Sequence, residues 1–173
     1  MEKSNFVLSI LRIAFILGLV GLFISLANIL WVFLGHNFNW ESVRKFHSSI
    51  DFTKIWQNDK TAFNGISLFE MGTIILKIIF FLSVLKIFKN WDFTKPFDEI
   101  LIGLLKKISF IALLIGILGV AVKIFIEVKV SNDLLLSTQI GNSEYLWTSA
   151  ILFLVYSVFQ RGRELQSEND LTI

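Results

Sequence analysis

Four apolar stretches, separated by polar ones that carry most of the charge, organise the chain. The first, Ile13 to Leu34, holds 22 residues without a charge and follows Lys3 and Arg12. About 20 apolar residues cross the hydrocarbon core of a bilayer, so this run predicts a transmembrane helix, with Trp31 as an interfacial aromatic near its end. A cleaved signal peptide is the competing reading; the run is too long for one and lacks a small-x-small cleavage site. The second stretch, Gly65 to Leu85, contains Glu70 and Lys77. The third, Ile108 to Val128, contains Lys123 and Glu127, and the fourth, Asn142 to Gln160, carries Trp147 near one edge.

Small or polar residues recur at helical spacing in each stretch. They are Ala14, Gly18, Gly21, Ser25 and Asn28 in the first, and Glu70, Thr73 and Lys77 in the second. Ser109, Ala112, Gly116, Gly119 and Lys123 follow in the third, then Ser149 and Tyr156 in the fourth. Small side chains let helix backbones approach where hydrophobicity cannot drive association. Four helices, each with one such face, predict an all-α integral membrane four-helix bundle with a common interior, a single domain over residues 1–173.

Between the spans lie a polar segment at 35–64, a basic hinge at 86–107 and a tail at 161–173. In the first, Val43, Phe46 and Ile50 have helical spacing while Ile50, Phe52 and Trp56 fit alternation, so its secondary structure stays open. His36 and His47 read as solvated loop histidines, because no carboxylate stands at a spacing that would join them in a metal site. The hinge holds Pro96, the one proline of the chain. With the amino terminus inside, nine Lys and Arg fall on the hinge side, Lys3, Arg12, Lys86, Lys89, Lys95, Lys106, Lys107, Arg161 and Arg163. Five fall on the other, Arg44, Lys45, Lys54, Lys60 and Lys129. By the positive-inside rule both termini are then cytoplasmic.

Composition agrees with a membrane protein. Hydrophobic residues make up 54% of the 173 and charged ones 17%, against about a quarter charged in soluble domains. The net charge of +2 is dispersed through loops, which argues against direct nucleic-acid binding. No cysteine is present, so disulfides and thiolate chemistry are excluded.

The charges inside the spans supply the candidate sites. Glu70 lies 16 residues before Lys86 and Lys123 lies 17 after Lys106, both roughly 24 to 26 Å from the inner boundary. Because isolated charges at that depth cost at least about 2.5 to 3.5 kcal/mol each, an interhelical Glu70–Lys123 ion pair is expected, with Glu127 available to Lys123 one turn on. Lys77 lies about 14 Å in. It is either a snorkelling lysine satisfied by hydroxyls, with Thr73 and Tyr156 as neighbours, or a contact for an anionic ligand or lipid headgroup.

Two stretches resemble a known family. The hinge, with Leu85-Lys-Ile-Phe-Lys-Asn90, Lys95-Pro-Phe97 and Leu105-Lys-Lys-Ile-Ser109, is similar to the middle of the bacterial membrane family called domain of unknown function 2975. The tail, Phe159-Gln-Arg-Gly-Arg-Glu-Leu-Gln-Ser-Glu-Asn-Asp-Leu-Thr-Ile173, resembles its ending: a basic-glycine step off the last helix, then an acidic terminus. The resemblance implies a small four-spanning protein of the bacterial inner membrane without assigned catalytic residues, and a small cytoplasmic regulator as partner.

No phosphate-cradling glycine loop, Ser-His-Asp set or clustered metal ligands occur, which points away from an enzyme and implies no cofactor. The leading reading is a signalling or scaffolding protein in the bilayer. Its candidate partner surface joins Lys89, Lys95 and Phe97 of the hinge to Glu168 and Asp170 of the tail. The alternatives are a homo-oligomeric transporter or channel lined by Glu70, Lys77 and Lys123, or a binder of lipid or another small ligand at Lys77.

Overall fold

The computed structural model describes residues 2–38, 40, 52–90, 97–129 and 142–170. Among them are five helices: α1 (Glu2–Asn37), α2 (Phe52–Asn58), α3 (Lys60–Asn90), α4 (Glu99–Lys129) and α5 (Glu144–Asp170). Three stretches are long and apolar enough to cross a membrane: Leu8–Asn37, Lys60–Asn90 and Glu99–Val128. Each contains a predicted span and extends beyond it. The segment 35–64, left open by its sequence, contributes the end of α1, the short α2 and the start of α3. Val43, Phe46, Ile50 and His47 lie outside the described residues.

Asp59 separates α2 from α3 and starts the latter. Its Oδ1 accepts the amides of Thr61 (2.7 Å) and Ala62 (3.2 Å), which satisfies donors that the first turn leaves unpaired. Inside the second span, the hydroxyls of Thr73 and Ser83 bond their own helix. Thr73 Oγ1 donates to the Phe69 carbonyl and Ser83 Oγ to that of Ile79, the cheapest satisfaction where no water competes.

The long helices pack in series: α1 against α3, α3 against α4, α4 against α5, with α2 lying across α1 and α3. The expected interior shared by all four is divided into two cores. At the α2 end, Ile29 and Val32 of α1 meet Ile55 of α2, Phe63 and Ile66 of α3, and Val122 and Ile126 of α4. At the hinge end, Phe80 and Ile87 of α3 and Leu105 and Ile115 of α4 pack with Leu152, Tyr156 and Phe159 of α5.

The division follows from where α5 begins. An added methyl on Gly119 would lie 2.9 Å from Asn142 Cβ, and one on Gly116 only 2.8 Å from the Leu146 backbone nitrogen, so the first turn of α5 rests on the middle of α4. Gly116 therefore permits a true backbone approach. The predicted small-residue face of α4 is thus the seat of α5, not a face toward a centre. The apolar part of α5, Tyr145 to Phe159, is about 22 Å long and falls short of the roughly 30 Å hydrocarbon core. Among the described residues α5 is not one of the stretches long and apolar enough by themselves to cross a membrane, in contrast to the other three.

The small face predicted for α1 is split as well. Gly18 meets the Phe81 ring, whereas Ala14, Gly21, Ser25 and Asn28 are exposed. Much of the apolar side-chain surface of α1 is also uncovered, from Phe6 and Ile13 to Leu17, Phe23 and Ile24. An exposed apolar surface of that extent suits hydrocarbon rather than water.

Candidate functional site

The antiparallel register of α3 and α4 places Phe69 against Phe125, ring centres 5.9 Å apart. Glu70 and Lys123 are therefore level, as the depth arithmetic expects. They nevertheless form no ion pair: among the described residues the pairs are Arg161–Glu164 at 2.9 Å and Arg163–Glu99 at 3.0 Å. The reason is azimuth. Val122 and Ile126 turn into the core, while Lys123 continues the α5-facing line four residues beyond Gly119, past the point where α5 begins. Lys123 and Glu127 are both exposed and unpaired with each other, and Glu70 is partly buried.

Lys77 does find an aromatic partner on the last helix. Its Nζ lies 5.5 Å from the centre of the Tyr145 ring, a cation–π contact that spares the ammonium full desolvation loss. Tyr145 also meets Phe80 edge-on at 6.0 Å. The predicted neighbour Tyr156 lies three turns further along α5, in the hinge-end core beside Phe153 at 5.7 Å. Thr73 is fully buried with its hydroxyl given to Phe69. Lys77, Thr73 and Tyr156 thus do not assemble into one contact. The expectation has the Lys77 stem reach toward the hinge end to Tyr156; because the first turn of α5 rests on the middle of α4, Tyr145 stands beside Lys77 instead.

The hinge and tail meet through the expected Phe97 and, among the described residues, through an ion pair that joins a tail arginine to a hinge carboxylate. Arg163 of α5 donates to Glu99 of α4, so the tail supplies the cation and the hinge the anion. Phe97 packs edge-on against Phe159 at 5.7 Å and closes over Gly162, where an added methyl would sit 2.5 Å from Phe97 Cε1. Gly162 reads in sequence as the end of the helix; α5 instead runs through it to Asp170, and the missing side chain makes room for Phe97. Glu164 accepts from Arg161, and this hydrogen bond holds the guanidinium pKa above its ordinary value. Lys89 and Glu168 are exposed. Lys95 and the side chain of Asp170 lie outside the described residues.

One feature escapes sequence reasoning altogether. His36 is not a loop histidine but the buried last turn of α1. Its Nδ1–H donates to the Val32 carbonyl (2.9 Å), and its ring is enclosed by Trp56 (5.6 Å) and Phe63 (5.1 Å). Its Nε2 and the Oγ of Ser67 are buried without a hydrogen-bond partner among the described residues. A first helix carried three residues beyond Leu34, to Asn37, would have included it, but nothing local marks where α1 stops.

No family model matches the chain, and neither a curated protein nor a solved structure matches it.

Proposed function

We propose that the protein is a multi-pass, non-enzymatic component of a bacterial inner membrane that docks a cytoplasmic protein on its hinge end. In this reading both termini and the hinge face the cytoplasm, and α1, α3, α4 and the shorter α5 form the membrane domain. The observation that carries it is the clamped extension of α5. Beyond Phe159 the helix continues as an exposed, charged rod to Asp170, held to the start of α4 by Arg163–Glu99 and by Phe97 over Gly162. A helix projecting from an anchored base offers a preordered binding face, which lowers the ordering cost of association. The resemblance of the hinge and tail to the unassigned bacterial membrane family supports the same reading, and with it a small regulator as the partner class.

The test is co-purification of the tagged full chain in mild detergent, compared with a chain ending at Gln160. A stoichiometric soluble partner lost on truncation supports docking. Equal recovery of every co-purifying protein by both chains refutes it.

A second reading has an observation of its own. Glu70, Lys77 and Lys123 form no ion pairs among the described residues, and unpaired charges within spans favour a hydrated path through an oligomer. Ion flux through liposomes carrying the protein, abolished by Glu70→Gln, would support that path.

A further inference from the structure

Between α4 and α5 runs a groove of about 240 Å³ lined by Ser109, Phe110, Leu113, Ser149, Ala150 and Phe153. The register set by Gly116 on Leu146 and by Glu99 on Arg163 puts Phe110 and Leu113 opposite Phe153 and Ser149, so both walls belong to one level. The two serines add little polarity. Ser109 Oγ donates to the Lys106 carbonyl (2.7 Å) and Ser149 Oγ to that of Leu146 (2.9 Å), so each hydroxyl hydrogen is spent within its own helix. The groove opens sideways between Phe110 and Phe153, which are 52% and 50% exposed. It therefore faces the same surroundings as the apolar exterior of α4 and α5.

At the hinge end of this groove stand Lys106 and Lys107, four and three residues before Phe110 and thus on its side of α4. Both are exposed, and neither has an ion pair among the described residues. Their backbone lies about 4.5 to 6 Å below Phe110 along the helix axis, roughly the step from headgroup level into the acyl region.

We infer that this groove and lysine pair bind one anionic phospholipid, its phosphate at Lys106 and Lys107 and one acyl chain laid between Phe110 and Phe153. Two features select that occupant. The groove, at about 240 Å³, is smaller than the roughly 300 to 1,000 Å³ pockets that enclose compact ligands, and an extended acyl chain suits its open, apolar form. Two unpaired ammonium groups at its mouth complement a negative headgroup, and basic positions between membrane helices are known to hold such lipids. A free phosphate would make no use of the apolar walls.

The test uses the full-length protein in a mild nonionic detergent, titrated with dioleoyl phosphatidylglycerol or dioleoyl phosphatidylcholine, with bound lipid read by native mass spectrometry. The expected result is several-fold greater retention of the anionic lipid. Lys106→Gln with Lys107→Gln should bring it to the level of the zwitterionic one, and Ala150→Phe, which fills the trough, should lower retention of both. Independently of any variant, a phosphatidylglycerol with a photoreactive acyl chain should crosslink to residues 109–113 and 149–153. Equal retention of the two lipids by the unaltered protein, a preference surviving the double lysine substitution, undiminished retention by the filled groove, or crosslinks spread evenly onto α1 would each overturn the assignment.

Discussion

The ammonium of Lys77 stands 5.5 Å from the centre of the Tyr145 ring, and Tyr145 is the second residue of α5. This single contact reports how the last helix is hung. α5 begins beside the middle of α3 and α4, and its first turn supplies the aromatic face over which a lysine in the second span is held. Such a contact contributes about 0.5 to 1 kcal/mol where wet and about 2 where desolvated. Tyr145→Phe is expected to keep it and Tyr145→Leu to lose it. A double-mutant cycle of Lys77→Met with Tyr145→Leu, read by thermal unfolding in detergent, should give a coupling within that range.

The glycines of α4 should behave in opposite ways. Gly116 faces the backbone nitrogen of Leu146, which cannot turn aside, so Gly116→Val should destabilise by about 1 to 3 kcal/mol and loosen α5. Gly103, in the same helix, has nothing within 4 Å of an added methyl. Gly103→Ala should be neutral or stabilising by up to about 1 kcal/mol, the ordinary gain in helix propensity. The pair of melting curves checks both.

Gly162 and Phe97 should be coupled through volume. Gly162→Val pushes against a ring already in contact, and should release the α5 extension from the start of α4. Limited proteolysis would then cut faster between α3 and α4 or beyond Gln160. Combining Gly162→Val with Phe97→Ala should restore much of the protection, because the second change vacates the space the first one needs. Arg163–Glu99 is too exposed, at 44% and 78% of the two side chains, to hold the extension alone; exposed pairs of this kind contribute about 0.2 to 1 kcal/mol.

Glu70 and Lys123 should show no charge coupling. Reversing each separately and both together should give effects that add within about 0.3 to 0.5 kcal/mol, as for residues without a shared contact. Clear rescue by the double reversal, measured as recovered folded protein, would contradict the observed geometry.

Of the four apolar runs read as spans, three fall in helices long and apolar enough to cross a membrane, because hydrocarbon thickness sets a length that a one-dimensional tally can match. The level of Glu70 with Lys123 was legible for the same reason: helical rise converts sequence separation into depth. The small-residue line on α4 was legible as a packing face. Which helix it receives was not, because spacing along one helix does not specify its neighbour. Azimuth and partner choice belong to tertiary structure. It seats the start of α5 halfway along α4, so that Tyr145 rather than Tyr156 meets Lys77, and Lys123 looks out beyond the first turn of α5. It also buries His36 under Trp56 and Phe63, and continues α5 through Gly162 to clamp the hinge by Phe97 and Arg163. Each of these depends on contacts between residues far apart in the chain, whose relative placement is decided by how side chains fill space between backbones and carries no local periodicity.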